Sequence, residues 1–213
     1  MKIEKFSSSE LWLEARRGRI TGTRLGDIIP KRGTGEKAGF YELVAEKMAR
    51  PEDGENPMDR GHRLEEEALD RFEAETGKKV CRDFTIMSRE DHEGIAVSPD
   101  GYVFSKSGKI TECLEVKCLA SWRHIKIFLE NEKIPSEFRE QYAQYFVVDD
   151  NLKTLFAIFY DPRMIVRDFF FREIKRSDFA KEELDNYLEI EIEKLKKVDE
   201  IVNVLCEGTE LRF

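Results

Sequence analysis

Long apolar runs, a signal-peptide core and closely spaced cysteines are all missing from this chain of 213 residues. Without an apolar stretch of about 20 residues, a membrane-spanning helix is not expected. The start, Met1-Lys2-Ile3-Glu4-Lys5, lacks the apolar core of a secretory leader. Cys81, Cys113, Cys118 and Cys206 are scattered with no C-x-x-C pair. That pattern speaks against a disulfide frame or a zinc knuckle and for reduced thiols in a cytoplasmic setting. Internal repeats, low-complexity tracts and a linker that would divide the chain are absent too, so residues 1–213 are expected to form a single domain. A surplus of basic charge is also lacking. The formal net charge of −8 argues against a protein that coats nucleic acid through bulk electrostatics. It leaves room for a local basic groove, and carboxylates that hold metal contribute to the same total.

What is present begins with S-P-D-G at 98–101 and L-E-V-K at 114–117. In an extended strand alternate side chains share a face, so Glu115 and Lys117 point one way while Leu114 and Val116 point into a core. Asp100 closes the preceding strand before the Gly101-Tyr102 turn. If the two strands pair, two carboxylates and one ammonium converge, a set suited to divalent cations and to a lysine that orients water. Taken alone, D-G is ordinary turn chemistry and E-x-K is more often a salt pair on a solvated strand. The apolar flanks Ile110, Leu114-Val116 and Leu119-Ala120 make this strand central, where charged side chains need a reason to be.

A helix from about Met58 to Thr76 is predicted by the stripe Leu64, Ala68, Leu69 and Phe72, with Gly77 as its stop. Glu65 borders that stripe and faces inward, whereas Glu66 and Glu67 fall on the solvated side. Helical period alone allows Glu65 to be a mere boundary residue. Shorter helices are expected at Ser9–Arg17, before Pro30, and from Phe40 to Met48, with loops at 31–37 and 51–57. Strands follow near 79–87, 94–98, 101–105 and 110–117, then helices near 121–130 and 136–148, and strands near 153–160 and 165–174. A long final helix over 178–206 carries Leu184, Leu188, Ile192, Leu195 and Val202 at helical spacing. This order indicates an α/β (α+β) chain around a mixed central sheet flanked by helices. His92 and His124 are read as surface residues.

Taken together, these residues resemble the PD-(D/E)XK nuclease superfamily with its restriction-endonuclease-like core, and more narrowly the lambda-type (YqaJ-like) viral recombination exonucleases. The likeness rests on six segments in order: W-L-E-A-R-R-G-R-I-T-G-T (12–23), G-H-R-L-E (61–65), S-P-D-G (98–101), L-E-V-K-C (114–118), the Gln141 helix after Pro135, and Y-D-P-R-M (160–164). The resemblance implies 5′-to-3′ degradation of one strand of duplex DNA, with mononucleotide release and a 3′ overhang left for a single-strand annealing protein. It also implies a ring-shaped homotrimer, a phage or prophage setting and no membrane. Asp100 and Glu115 would hold Mg²⁺, with Mn²⁺ able to substitute and two ions per site, helped by the backbone carbonyl of Val116. Lys117 would orient the attacking water. Glu65 would act through water or a second ion, and Glu90 stands where the family has an outer acidic residue, aspartate there, with Asp91 as its neighbour. Arg16, Thr23, Ser98 and Gln141 would bind the 5′ phosphate, and Arg123 the DNA backbone; Thr23 replaces the family's serine. Taken singly, Thr23 is a helix cap, Ser98 a turn residue and Arg16 an exposed helix charge. The superfamily's iron–sulfur members need a cysteine cluster near the C-terminus, where only Cys206 lies here. Two rival functions stay open: an endonuclease of the same fold, and a catalytically silent protein that binds DNA ends.

Overall fold

Gly77, at φ +68°, takes the left-handed conformation that ends helices and stops the helix Pro57–Thr76 where the sequence indicates. The computed structural model describes residue 11 and residues 37–48, 57–83 and 85–206. The expected helices at Ser9–Arg17 (apart from Leu11) and before Pro30, with most of the loops at 31–37 and 51–57, lie outside the described residues. Helix α1 is Ala38–Met48 and α2 is Pro57–Thr76, whose proline stands at the first helical position, where no amide donor is needed. Leu64, Ala68, Leu69 and Phe72 are all buried along α2. Glu65 is half-buried beside them, while Glu66 and Glu67 are exposed.

Strands β1 (Met87–Arg89) and β2 (His92–Val97) form an antiparallel hairpin around the turn Glu90-Asp91. Strands β3 (Gly101–Phe104) and β4 (Ile110–Lys117) pair antiparallel, with Gly101 opposite Leu114 and Tyr102 opposite Cys113. With β5 (Thr154–Tyr160) and β6 (Phe169–Lys175) they make a four-stranded sheet in the order β3-β4-β5-β6. Every residue of β5, Thr-Leu-Phe-Ala-Ile-Phe-Tyr, is buried, as a strand covered on both faces requires. The mixed α/β class expected from the element order is therefore what the chain adopts. Two strands are shorter than the sequence suggests. Over 79–87 the pairing reduces to one bridge, Cys81 with Tyr102, ahead of the three-residue β1. The strand expected at 165 begins only at Phe169, because Ile165 and Val166 are exposed and Arg167 turns left-handed at φ +57°.

Helix α3 (Ser121–Glu130) ends on Asn131 in the left-handed region. A 3-10 turn at Ser136–Phe138 leads into α4 (Arg139–Val148), and α5 is Lys181–Cys206. Among the described residues no helix is long and apolar enough to cross a membrane.

The chain divides into two compact units. One takes its described residues from Met1–Glu75, Val116–Glu132 and Ile158–Phe171. In it α1 packs on α3 through Tyr41, Ala45 and Ile125, with Val44, Trp122 and Met164 around them. The other takes them from Thr76–Glu115, Lys133–Ala157 and Arg172–Phe213. There α4 packs on α5 and on the β1-β2 hairpin. Gly94 of β2 allows the long helix to come close: a Cβ at that position would lie 2.9 Å from Leu195 Cδ1.

Candidate active site

Strand β4 alternates as a half-charged central strand must, with Leu114 and Val116 buried on one face and Glu115 and Lys117 on the other. The Asp100 amide donates to the Leu114 carbonyl at 3.1 Å, which fixes Asp100 beside β4 immediately before β3 begins. Glu115 is only 6% exposed. A carboxylate that deep requires hydrogen-bond donors. Helix α4 supplies two: Gln141 Nε2 donates to Oε1 at 2.7 Å and the Tyr145 hydroxyl to Oε2 at 2.5 Å. Gln141 and Tyr145 stand four residues apart, the spacing that puts side chains on one helix face.

The Tyr145 phenol is pushed far above its ordinary range, first by burial, then by the charge of Glu115 and its hydrogen bond, then by the charge of Asp100. Both carboxylates therefore act on the same hydroxyl. The nearby Tyr142 phenol is raised by burial and by Glu115 as well. Cys113, on β4 before Glu115, is pushed up to about 12 by burial and by Asp149, so its thiol keeps its proton at neutral pH. The donor set here is oxygen.

Among the described residues, no three His, Cys, Asp or Glu side chains gather into one metal-sized cluster. The Asp100 and Glu115 pair nevertheless fits a hard divalent cation. Magnesium commonly takes one or two carboxylates and completes its shell with water and substrate phosphate. Carboxylate oxygens are the hard donors that such a cation prefers. The backbone carbonyl of Val116 follows directly on the same strand.

The structure thus brings together Asp100, Glu115 and Gln141, and adds Tyr145. Lys117 shares the strand face of Glu115 and is half-buried. Glu65 sits half-buried on α2, within the first unit. Ser98 is exposed, and its hydroxyl donates to the Thr85 carbonyl at 3.0 Å. Arg123 is half-buried on α3. Arg16 and Thr23 lie outside the described residues. Glu90 occupies the exposed turn of the β1-β2 hairpin. Its neighbour Asp91 is engaged by Arg89 Nε at 2.8 Å.

Tyr145 escaped the sequence reading. The signal was its position one turn after Gln141, on a helix whose second half is buried nearly all round. His124 is a correction: it is 1% exposed rather than on the surface, with Nε2 bonded to the Arg167 carbonyl at 2.8 Å. The Y-D-P-R-M segment also has a geometry that sequence did not supply. Asp161 is fully buried and takes the Ser121 hydroxyl at 2.5 Å, Arg163 Nε at 2.9 Å and Arg163 Nη2 at 3.2 Å. Burial alone would raise the Asp161 pKa, but Arg163 and Ser121 outweigh it and hold the carboxyl below its usual range. Arg163 also reaches the carbonyl of Leu119, two residues past Lys117, at 3.4 Å.

Comparison with known proteins bears on this arrangement. The family model for the YqaJ-like viral recombinase domain matches residues 11–151. The crystal structure of LHK-Exo in complex with dAMP is 25% identical, with a TM-score of 0.60, and the match covers 93% of this chain and 97% of that one. A crystal structure of the alkaline exonuclease LHK-Exo from Laribacter hongkongensis is 23% identical, again with a TM-score of 0.60, over 93% of this chain and 98% of that one. Among curated proteins none matches.

Proposed function

Because this chain belongs to the YqaJ-like viral recombinase domain family, we propose that it is a metal-dependent DNA exonuclease working in the cytoplasm as one exonuclease domain. It degrades one strand of linear duplex DNA from a 5′-phosphorylated end, releases mononucleotides and leaves a 3′ overhang for a single-strand annealing protein. One observation carries the reading: the Glu115 carboxylate is clamped by Gln141 and Tyr145, and the Asp100 amide is bonded to the carbonyl of Leu114, the residue before Glu115. The similarity to LHK-Exo, an alkaline exonuclease that binds dAMP, supports a mononucleotide product.

In this proposal Asp100, Glu115 and the Val116 carbonyl would hold Mg²⁺ or Mn²⁺, and Glu65 would act through water or a second ion. A bound cation of this kind neutralises charge on the phosphodiester and makes water more acidic. Lys117 orients the attacking water toward phosphorus with its ammonium group. Gln141 and Tyr145 keep the Glu115 oxygens in a fixed plane, and the second N–H of the Gln141 amide is offered to the 5′ phosphate. Arg16 binds the terminal phosphate with a planar fork of donors, and Thr23 adds a hydroxyl. Ser98 contributes only after its O–H turns away from the Thr85 carbonyl. Arg123 contacts the DNA backbone. Three copies closing into a ring would keep the enzyme on its track.

The test uses a linear duplex with one end 5′-phosphorylated and the other 5′-hydroxyl, with magnesium, and a closed circular duplex as control. The phosphorylated strand should shorten to mononucleotides, the circle should survive, and Lys117→Ala should bind ends without cutting. Nicking of the circle would transfer the chain to the endonucleases. Equal end binding with EDTA and no nucleotide release from the unaltered protein would make it a silent end-binding protein.

A further inference from the structure

The turn that joins β3 to β4 lies at the opposite end of β4 from Glu115 and reads Ser105-Lys106-Ser107-Gly108-Lys109. Gly108 takes the left-handed conformation at φ +78°. Its amide donates to the Ser105 carbonyl at 3.0 Å, and the Ser105 amide donates to the Lys109 carbonyl at 2.8 Å. The turn is thus closed on itself, with Lys106 and Lys109 exposed on it. Two further exposed lysines stand at the same end of the sheet. The Lys153 amide donates to the Thr111 carbonyl at 3.0 Å, which sets Lys153 beside the start of β4. Cys81 bridges Tyr102 in antiparallel fashion, so Lys79, two residues earlier, runs level with Phe104, two residues later. The front formed by these four neighbouring segments is three strand spacings wide, about 14 Å. All of it belongs to the second compact unit.

The acids of this region are committed and the cations are not. Glu112 is held by Lys78 at 2.8 Å, and Asp83 accepts the Tyr102 hydroxyl at 3.3 Å. Asp149 takes the Asn151 amide, and Asp150 serves Arg89 and Arg176. Among the described residues, Lys79, Lys106, Lys109 and Lys153 have no carboxylate within ion-pair distance. In a chain of net charge −8 they make a local surplus of positive charge. Lysines that only guarded an edge strand against pairing would not call for an open aromatic ring among them. Phe104 is such a ring: it is 49% exposed and stands T-shaped to buried Tyr102, with centroids 5.4 Å apart.

We propose that this hairpin end is a binding surface for single-stranded DNA, with one base stacked on Phe104 and the neighbouring phosphates on the four lysines. Base stacking on an open aromatic ring, beside cations that track the backbone, is how proteins hold single strands without reading sequence. A duplex keeps its bases stacked on one another and offers none to Phe104, so the ring selects the single strand. An ammonium is a point charge that meets a phosphate from many directions, which suits a strand of any sequence. An acidic protein segment would supply the charge without a flat ring between its anions. Only the origin of the strand rests on the proposed function. The exonuclease leaves a 3′ overhang, and this surface receives it at a place separate from Asp100 and Glu115.

The experiment follows the fluorescence anisotropy of a labelled oligothymidylate with a 5′ hydroxyl, with EDTA present so that nothing is cut. The full chain is compared with Phe104→Leu, which keeps an apolar side chain, and with a double variant, Lys106→Gln with Lys109→Gln. An abasic strand of equal length, a blunt duplex and polyglutamate serve as competitors. Phe104→Leu should weaken the oligothymidylate about tenfold and leave the abasic strand within about twofold, the loss of one stacked base. The double variant should lower the slope of log Kd against log salt by about 1.4, at about 0.7 for each phosphate contact to a single strand. Unchanged affinity in Phe104→Leu, or an equal loss for the abasic strand, would remove the stacked base and overturn the proposal. So would an unchanged salt slope in the double variant. Polyglutamate competing as well as the oligothymidylate would assign the surface to an acidic protein, and a duplex competing better would assign it to double strands; either result rejects the single-strand site. Nucleotide release from a short linear duplex with magnesium is read in parallel and should be the same in all three proteins. Its absence from the unaltered chain would sink the nuclease reading and leave the binding result standing.

Discussion

Two carboxylates lie at comparable depth in this protein and are treated in opposite ways. Asp161, fully buried, is met by the guanidinium of Arg163 and the hydroxyl of Ser121. Glu115, 6% exposed, is met by an amide and a phenol. A guanidinium cancels charge as well as filling lone pairs, so Asp161 is a closed unit that ties the chain after β5 to the start of α3. An amide and a phenol, both neutral donors, hold the two carboxylate oxygens in fixed directions. Under the proposed function, Asp161 serves the fold, whereas Glu115 would be oriented for a cation.

The sharpest way to break this comparison is to remove each charge isosterically. Glu115→Gln should lower the release of nucleotides from linear duplex by roughly a thousandfold, of the order that loss of a key electrostatic contact produces. Lys117→Ala should fall in the same range, with end binding retained in a gel-shift assay. Stability should move the other way: chemical denaturation of Glu115→Gln should show no loss, or a gain of up to about 1 kcal/mol, because a charge has been taken out of the interior. Asp161→Asn should lose roughly 3 kcal/mol, because Arg163 would be left without its counter-charge. Equal destabilisation by the two substitutions would make Glu115 a structural acid and remove the distinction.

Tyr145→Phe probes the clamp more gently. The ring stays to fill its space, and one hydrogen bond to a carboxylate is lost, a contribution of about 1.5–3 kcal/mol. If that bond holds Glu115 in its working orientation, turnover should fall by about ten- to a hundredfold while the Kd for DNA ends stays within about twofold. Raising the magnesium concentration should recover part of the loss. A uniform drop in thermal stability with unchanged turnover per folded molecule would instead make Tyr145 ordinary core.

Much of this was legible in the chain, for identifiable reasons. Helix α2 announced itself by a regular apolar stripe and a terminal glycine, and the half-buried Glu65 between buried Leu64 and exposed Glu66 follows from the same period. Strand β4 was legible from its apolar flanks, and Cys113 to Val116 are buried in succession as a central strand requires. Tyr145 was not, because Tyr142, Ala143, Phe146, Val147 and Val148 are buried around it, so periodicity marks no special face. His124 sits between Arg123 and Ile125, near Lys126, and charged neighbours in sequence suggested a solvated position. The helix turns it inward beneath Arg167, whose backbone conformation no local pattern reveals. Ile165 and Val166 read as strand by composition yet are exposed, because the turn closed by Asp161 and Met164 precedes them.

The smallest effect concerns acid, where His124 and Asp161 should fail at different pH. Burial lowers the His124 pKa from 6.5, against the upward pull of the Arg167 carbonyl, Asp161 and Asp168 and with help from Arg163. The stability linked to it is fully present above about pH 6.5 and declines as pH falls toward the folded value, because the unfolded chain takes up the proton first. Asp161 is held below 3.8, so its contribution is complete above about pH 4 and is lost only as the medium becomes more acidic than that. Denaturation curves between pH 7.5 and 3 should therefore bend twice. The upper bend should have a slope of at most about 1.4 kcal/mol per pH unit for one proton. His124→Gln should flatten the upper bend and leave the lower one, while Asp161→Asn should do the reverse. If His124→Gln left the upper bend in place, the proton would be entering elsewhere, and burial of the imidazole beneath the Arg167 carbonyl would not be what sets that bend.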